Sequence, residues 1–368
     1  MLKYLAVAKV LKKHKPSVDN AVLCLHYRST FLIFVIASAL VTAKEFFGSP
    51  IDCVTTKSVP GNIMNLYCFI MATFSVPKQY DKVKGEGASF PGVGPNEESD
   101  ETVYHAYYQW VPLVLMFQAL LFYTPRFIWK QAEGGLFNVV LGGLDQPIME
   151  KDERQKKHRL LSSYMVHNLN MHTLWAWRFF SCEILALCVV IFNLYFTNFF
   201  LGGTFFEYGS DVLSFVELED GERIDPMVRL FPTVAKCNFR AYGPSGTVEV
   251  HDSMCLLPVN ILNQKIYILL WFWLLLLTTI TSFWLLFRFA TIVSKDLRGL
   301  LLQYRGRMAG MEHVKRIQSR CNLGDWFLLY QLGRAIEPTV YAEFLRELSN
   351  ELEHLPYEEE HNPMLASS

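Results

Sequence analysis

Long apolar stretches without a charged residue limit the possible folds of this sequence more than any other feature. Residues 106–125, 184–206 and 266–287 form charge-free stretches of 20, 23 and 22 residues. A membrane-spanning helix needs roughly 17–25 mostly apolar residues, so each stretch has the required length. A weaker stretch, residues 29–43, has 15 residues. It is long enough if Arg28 and Lys44 reach the interface at its ends and Phe46 and Phe47 extend it.

The composition agrees with a membrane protein. Hydrophobic residues without glycine make up 51% of the chain and charged residues 19%, whereas soluble domains have roughly 45–50% apolar residues with glycine included and about 25% charged residues. The alternative, in which each stretch is a buried helix of a soluble core, would be very unusual for three stretches in one chain. With 34 basic and 35 acidic residues there is no positive excess, so no nucleic-acid partner is expected.

The sequence therefore predicts an all-α membrane protein with a bundle of four transmembrane helices, at residues 29–47, 106–125, 184–206 and 266–287. Two long loops, residues 48–105 and 207–265, contain turn motifs and short alternating stretches, which predict extracellular α/β structure stapled by disulfides. A helical cytosolic domain is predicted for residues 288–368, because apolar residues recur there at helical spacing: Val340, Tyr341, Phe344, Leu345, Leu348, Leu352 and Leu355.

The distribution of basic residues predicts the orientation of the spans. Residues 1–28, 126–174 and 288–368 carry six, seven and ten Lys and Arg residues, whereas residues 48–105 and 207–265 carry four and five. Because loops rich in Lys and Arg stay in the cytosol, both termini and the middle loop, residues 126–183, are predicted to be cytosolic. Residues 1–28 also lack the long apolar segment of a cleaved signal peptide.

The eight cysteines divide evenly between the predicted compartments. Cys53 and Cys68 lie in the first outer loop, Cys237 and Cys255 lie in the second, and the other four are cytosolic or within the membrane. A pair in each outer loop is typical of disulfides in an oxidising compartment, with unpaired thiols as the alternative. Four cysteines allow three pairings, and the sequence does not choose among them.

No catalytic, metal or cofactor site is predicted. The Gly-x-Gly at residues 85–87 lacks the ending of a phosphate-binding loop. The His-Asp-Ser run at residues 251–253 is contiguous, whereas the members of a catalytic triad converge from separate elements. His158, His167 and His172 are scattered in a polar loop, and the spacing of the outer cysteines is not that of a zinc finger. The sequence therefore predicts a protein that is not an enzyme.

A few polar residues in the spans allow two interpretations. Ser38 and Thr42 lie on one helical face, where they either line water or pack against other helices. Arg178 and Glu183 flank the start of the third span and form either a functional site or an interfacial charge pair that sets the depth of the helix. Pro112 is expected to kink or loosen the second span.

Several motifs resemble those of the innexins, the gap-junction proteins of invertebrates. The signature is Tyr107-Tyr108-Gln109-Trp110-Val111, which opens the second span after a long loop with two cysteines. Further similar motifs lie at residues 48–53 (Gly-Ser-Pro-Ile-Asp-Cys), 122–126 (Phe-Tyr-Thr-Pro-Arg), 208–212 (Tyr-Gly-Ser-Asp-Val) and 324–327 (Gly-Asp-Trp-Phe). The resemblance extends from about His26 to Gly333 and is insect-like.

The resemblance implies a large-pore channel of the plasma membrane. Innexin subunits assemble into a ring, expected to be an octamer, and two rings on adjacent cells dock through their outer loops, so that ions and small metabolites pass between the cells. It further implies contacts with membrane lipid and with other innexins. For this chain it implies a pore funnel formed by residues 1–28, pore-facing side chains in and before the first span, and disulfides that pair Cys53 with Cys255 and Cys68 with Cys237. The candidate pore-lining residues are Met1, Leu2, Ser38, Thr42, Lys44 and Glu45.

Other four-span proteins fit less well. Connexins usually carry three cysteines in each outer loop, and tetraspanins carry a Cys-Cys-Gly motif; the sequence has neither feature. Claudin chains are much shorter. The alternatives that stay open are an undocked, pannexin-like channel and a non-channel adhesion protein. The sequence contains no Asn-x-Ser/Thr glycosylation site, which mildly favours docking.

Overall fold

The computed structural model describes residues 17–55, 59–80, 88–95, 97, 99–144, 150–217 and 226–354. Within these ranges, four helices are long and apolar enough to cross a membrane, and they confirm the predicted four-span fold. The helices are α1 (Ala21–Phe47), α2 (Gly61–Met71), α3 (Val111–Glu133), α4 (Leu136–Leu141), α5 (Lys151–His167), α6 (Thr173–Phe200), α7 (Phe205–Glu217), α8 (Pro226–Leu230), α9 (Pro258–Val293), α10 (Lys295–Arg305), α11 (Met311–Arg320), α12 (Leu323–Ala335) and α13 (Pro338–Glu353). The spans are α1, α3, α6 and α9. The strands are β1 (Asp52–Val54), β2 (Thr73–Ser75), β3 (Val103–His105), β4 (Val234–Tyr242) and β5 (Val248–Leu256).

The charge-free stretches locate the spans but not the ends of the helices. α3 begins only at Val111, after a 3-10 turn, and continues through Pro125 to Glu133. Pro112 lies in the first turn of α3, where its missing N–H costs no helical hydrogen bond, so it starts the helix and does not kink it. α6 and α9 begin before the charge-free stretches, at Thr173 and Pro258. A charged residue ends an apolar stretch, but it does not end a helix.

The end of α6 has a different cause. α6 stops at Phe200, although the charge-free stretch continues to residue 206. Gly202 and Gly203 follow with φ of +72° and +91°, in the left-handed region that is accessible to glycine at low cost. The backbone therefore leaves the helix within apolar sequence.

The described chain forms two compact units. The sheet unit comprises Cys24–Thr124 and Ala186–Ser282, and the helical unit comprises the described parts of Met1–Leu23, Pro125–Leu185 and Phe283–Ser368.

Polar side chains join the spans within the sheet unit. Gln118 of α3 donates a hydrogen bond to Thr197 of α6 at 2.8 Å. Trp273 Nε1 of α9 donates to Thr30 Oγ1 of α1 at 2.9 Å. Such bonds add specificity where two apolar helices meet, because lipid chains are as apolar as the helices themselves.

One antiparallel sheet of five strands, with the order β1-β5-β4-β2-β3, completes the sheet unit. β1, β2 and β3 belong to residues 48–105 and β4 and β5 to residues 207–265, the two loops that are predicted to be extracellular and are called the first and second outer loops. β4 and β5 pair along all nine residues of each strand, and Cys53 of β1 lies opposite Cys255 of β5. The two loops therefore form a single folded layer.

The helical unit has its own core. α13 packs on α5 and α11, as expected for the amphipathic tail helix; Leu355 lies outside the described residues. α12 packs closely against the start of α6, because a Cβ on Gly324 would overlap the backbone of His172 and Thr173. The carboxylate of Asp325 accepts hydrogen bonds from the backbone N–H of Asn170 at 2.8 Å and from His172 Nδ1 at 2.7 Å. The buried face of α13 includes Val340, Tyr341, Phe344, Leu345, Leu348 and Leu352.

Candidate docking layer and pore-lining residues

Two disulfides join the outer loops. Cys53 in β1 is bonded to Cys255 in β5, and Cys68 in α2 is bonded to Cys237 in β4. These are the pairs that the family resemblance implies. The bonded residues are 202 and 169 positions apart in the chain, so each bond closes a long loop in the unfolded state and restricts its conformational freedom.

The sulfur atoms of the two disulfides lie close together. Those of Cys53, Cys68 and Cys255 are within 4.8 Å of one another, which is compact enough for a metal site. Each of the three sulfurs belongs to a disulfide, however, and a disulfide offers no thiolate to a metal.

Two signature residues attach the start of the second span to the disulfide-bearing helix α2. Tyr108 is fully buried, and its hydroxyl donates to the carbonyl of Cys68 at 3.3 Å. The side-chain amide of Gln109 donates to two carbonyls in the last turn of α2. The signature therefore anchors α3 to the Cys68–Cys237 bond, a role that the sequence pattern does not reveal.

The other signature residues have different environments. The hydroxyl of Tyr107 donates to the carbonyl of Leu230 at 3.3 Å, which connects the signature to the second outer loop. Val111 is fully buried, whereas Trp110 is 58% exposed. Trp110 is thus the signature side chain that is available for lipid or for another subunit.

The β4–β5 hairpin is buried at one end and exposed at the other. The four residues of β4 nearest the disulfides are buried, whereas the far half of each strand is largely exposed. Tyr242, Val248 and Val250 are exposed by 83%, 57% and 56%. Exposed apolar side chains grouped at the end of a hairpin are typical of a contact surface.

A polar cluster connects β2 with β3. The hydroxyl of Ser75 lies 2.7 Å from His105 Nε2, and it accepts a hydrogen bond from the hydroxyl of Tyr80 at 3.1 Å. Burial lowers the pKa of His105 to about 4 and raises the pKa of Tyr80, because the charged form of each group loses its hydration. Both side chains are therefore neutral near pH 7.

The candidate pore-lining residues do not share one environment. Ser38 is buried, and its hydroxyl donates to the carbonyl of Pro112 in α3 at 2.8 Å, so it packs α1 against α3. Thr42 is half-buried and donates to the carbonyl of Ser38 at 2.8 Å. Lys44 and Glu45, at the end of α1, are also half-buried. Met1 and Leu2 lie outside the described residues.

The helical unit contains a buried ion pair that sequence reasoning missed. The carboxylate of Glu183 in α6 accepts two hydrogen bonds from Arg288 in α9, at 2.7 and 2.8 Å, one from Trp284 Nε1 at 2.9 Å, and one from the amide of Asn20. The side chains of Glu183 and Arg288 are 2% and 6% exposed. Of the two interpretations of Arg178 and Glu183, the charge pair between them is wrong, because Arg178 is exposed and donates to a backbone carbonyl of α3.

Comparison with known proteins identifies the family. The model of the innexin family matches residues 19–352. The chain is 46% identical to innexin inx2 of Drosophila melanogaster over 348 residues, which cover 94% of this chain and 95% of that protein. It is 42% identical to innexin inx2 of Schistocerca americana, over 95% and 97% of the two chains, and 40% identical to innexin shaking-B of Drosophila melanogaster, over 91% of each. Because the similarity covers nearly the whole chain, this protein belongs to the innexin family, as its motifs indicate.

Proposed function

We propose that this protein is a subunit of gap-junction channels. Identical subunits form a ring, expected to be an octamer, and the ring docks to a second ring on the adjacent cell. Ions and small metabolites then pass between the two cells. No catalytic step is involved, because pore width and rings of identical side chains determine permeation.

The disulfide-joined layer is the observation that carries this proposal. Both outer loops contribute strands to one sheet, and two disulfides hold them together. A layer of this kind is rigid enough to present the same surface from every subunit of a ring. The exposed apolar end of the β4–β5 hairpin is the part of this layer that we assign to contacts with another subunit or another ring.

The proposed subunit has both termini in the cytosol and lies in the plasma membrane at gap junctions. The greater number of Lys and Arg residues in residues 1–28, 126–174 and 288–368 supports this orientation. Exposed apolar side chains on the spans suit contacts with lipid. The parts of the subunit surface that do not contact lipid are available to other innexins in mixed rings.

Asp19 and Asn20 bond to Arg334 and Glu183 in the helical unit, so within residues 1–28 the pore is assigned only to those before Asp19, beginning with Met1 and Leu2. Thr42, Lys44 and Glu45 complete the assignment. A symmetric ring repeats each of these side chains in every subunit, so one charged residue per subunit produces a strong local field. Ser38 is left out of this assignment because its hydroxyl is already bonded to α3.

Recording from paired cells distinguishes this proposal from its alternatives. Cells that lack coupling of their own are made to express the protein, and junctional conductance and dye transfer are measured between touching pairs. A gap-junction subunit produces both signals. Currents in single cells without coupling between pairs would indicate an undocked channel, and adhesion without either current would indicate a non-channel protein.

The disulfides provide a sharper test of the layer. Cys53→Ser removes the bond that connects β1 to β5, and we expect it to abolish coupling. Cys188→Ser is the matched control, because Cys188 is a free, exposed cysteine of α6; this variant should couple normally. Normal coupling by Cys53→Ser would show that the layer does not depend on this bond.

A further inference from the structure

The helical unit contains a cavity of about 260 Å³ beside the Glu183–Arg288 pair. Three arginines line it, Arg288, Arg305 and Arg334, and none of the described residues in its lining is acidic. Glu183 balances the charge of Arg288, and Arg305 and Arg334 are the other cationic side chains of the lining. We propose that this cavity is a binding site for a phosphate-bearing anion, with Arg305 as its principal ligand.

Arg305 is held in a conformation suited to anion binding. Its guanidinium lies over the ring of Tyr330, 5.5 Å from the ring centroid, and Tyr330 in turn stacks on Trp326, with ring centroids 5.5 Å apart. An arginine that is already stacked loses less conformational freedom on binding than a mobile one. The aromatic pair therefore presents the guanidinium to the cavity at low entropic cost.

One donor of Arg305 also lacks an acceptor. Its Nε atom is buried and has no hydrogen-bond partner in the described part of the chain. A buried N–H without an acceptor is unfavourable. Phosphate oxygens match the planar guanidinium with two parallel hydrogen bonds, so a phosphate that binds with a small shift of the Arg305 side chain would accept from the Nε–H together with a terminal N–H.

Arg334 supplies a second positive charge from a fixed position. Its guanidinium donates to the side chain of Gln331 at 2.9 Å and to the backbone carbonyl of Asp19 at 3.2 Å. These bonds hold the guanidinium of Arg334 at the wall of the cavity. Two guanidinium groups that line one cavity favour a phosphate monoester over a singly charged anion, because a monoester carries close to two negative charges near pH 7.

The remaining lining favours an anion attached to apolar groups. Trp284 and Phe287 of α9 and Leu301 of α10 line the same cavity, and Phe287 is partly exposed on a helix long and apolar enough to cross a membrane. Basic pockets at the ends of spans bind anionic lipid headgroups. The favoured source of the phosphate is therefore a phospholipid, and a soluble phosphate ester is the other source of the same chemistry.

Binding to the full-length protein tests this inference. The protein is purified in detergent and titrated with four probes: dioctanoyl phosphatidylinositol bisphosphate, inositol trisphosphate, inorganic phosphate and, as a neutral control, dioctanoyl phosphatidylcholine. Affinity is read from the ligand-dependent rise of the thermal unfolding midpoint. The variants are Arg305→Gln and its control Arg307→Gln, which changes an exposed arginine outside the cavity.

We expect the phosphoinositide to bind wild type and Arg307→Gln equally, and to bind Arg305→Gln roughly tenfold more weakly. Binding of the lipid alone identifies a lipid site, whereas equal binding of inositol trisphosphate or phosphate identifies a soluble anion; either result supports the proposal. Absence of binding by every phosphate probe, or unchanged affinity in Arg305→Gln, would overturn it. If Arg305→Gln does not fold, Arg305→Lys decides, because lysine keeps the charge but loses the two-bond geometry: weaker binding supports the proposal and unchanged binding refutes it.

Discussion

Replacement of Glu183 by alanine is expected to destabilise the helical unit strongly. The change removes the acceptor of four hydrogen bonds, two from Arg288, one from Trp284 and one from Asn20. It also leaves the guanidinium of Arg288, whose side chain is only 6% exposed, without a negative partner. The loss therefore combines unsatisfied donors with an uncompensated buried charge.

The structure sets the size of this effect. Breaking a buried ion pair by removing one partner costs about 3–5 kcal/mol. Four aromatic rings surround the Arg288 guanidinium, with centroids 5.0 to 5.9 Å away. Their cation–π attraction still stabilises the charge of Arg288 in the Glu183→Ala variant. We therefore expect a loss near the lower end, about 3 kcal/mol. Replacing both partners, Glu183→Leu with Arg288→Met, should recover most of it, because no buried charge is left.

Denaturant titration of the purified protein in detergent, followed by tryptophan fluorescence, measures the free energy of unfolding of each variant. Arg178→Ala is the matched control: Arg178 is an exposed arginine of the same helix with a hydrogen bond of 3.5 Å, and its loss should change stability by less than about 0.5 kcal/mol. The reasoning fails if Glu183→Ala is no more destabilising than Arg178→Ala, or if the double replacement is as unstable as Glu183→Ala.

Three further predictions concern other parts of the chain. Lys44→Glu should shift the ion preference of the channel toward cations, measured as a change of reversal potential in a salt gradient; an unchanged potential would exclude Lys44 from the pore. The buried His105 has a pKa of about 4 instead of 6.5, so the unfolded state binds its proton more readily. The free energy of unfolding should then fall as the pH is lowered from about 6.5 to about 4, by at most about 3 kcal/mol. The His105→Gln variant should lack this part of the pH dependence. Gly324→Ala should cost about 1–3 kcal/mol, because its Cβ would overlap the backbone of His172 and Thr173. Gly61→Ala, whose Cβ would make only an ordinary contact at 3.8 Å, should be nearly neutral, and equal unfolding midpoints for the two glycine variants would contradict the packing argument.

The four spans could be predicted because their signal is local. A mostly apolar stretch of about 20 residues without a charged residue is rare except in a helix that crosses a membrane. The ends of the helices could not be predicted in the same way: α3 continues past Pro125 to Glu133, where the sequence is already charged. Where such a helix ends depends on the contacts that its polar side chains make beyond the apolar segment.

Contacts between distant segments could not be predicted. Glu183 and Arg288 are 105 residues apart, and nearby Arg178 is the more obvious partner in the sequence. Helical spacing placed Ser38 and Thr42 on one face, but it cannot say whether that face meets water or, as for Ser38, the carbonyl of Pro112. In the outer layer, β1, β2 and β3 have three residues each, too few for an alternating pattern to identify them.

The connectivity of the two disulfides has a consequence for biosynthesis. Each bond joins the first outer loop to the second, and the chain is made from its N-terminus. Neither native bond of Cys53 or Cys68 can therefore form until the ribosome has passed two further spans and produced Cys237 and Cys255. The two disulfides can thus form only after three spans have been synthesised. The fourth span begins three residues after Cys255. A chain that stops early displays two reactive thiols, and a thiol-dependent quality-control system can distinguish it from a finished subunit.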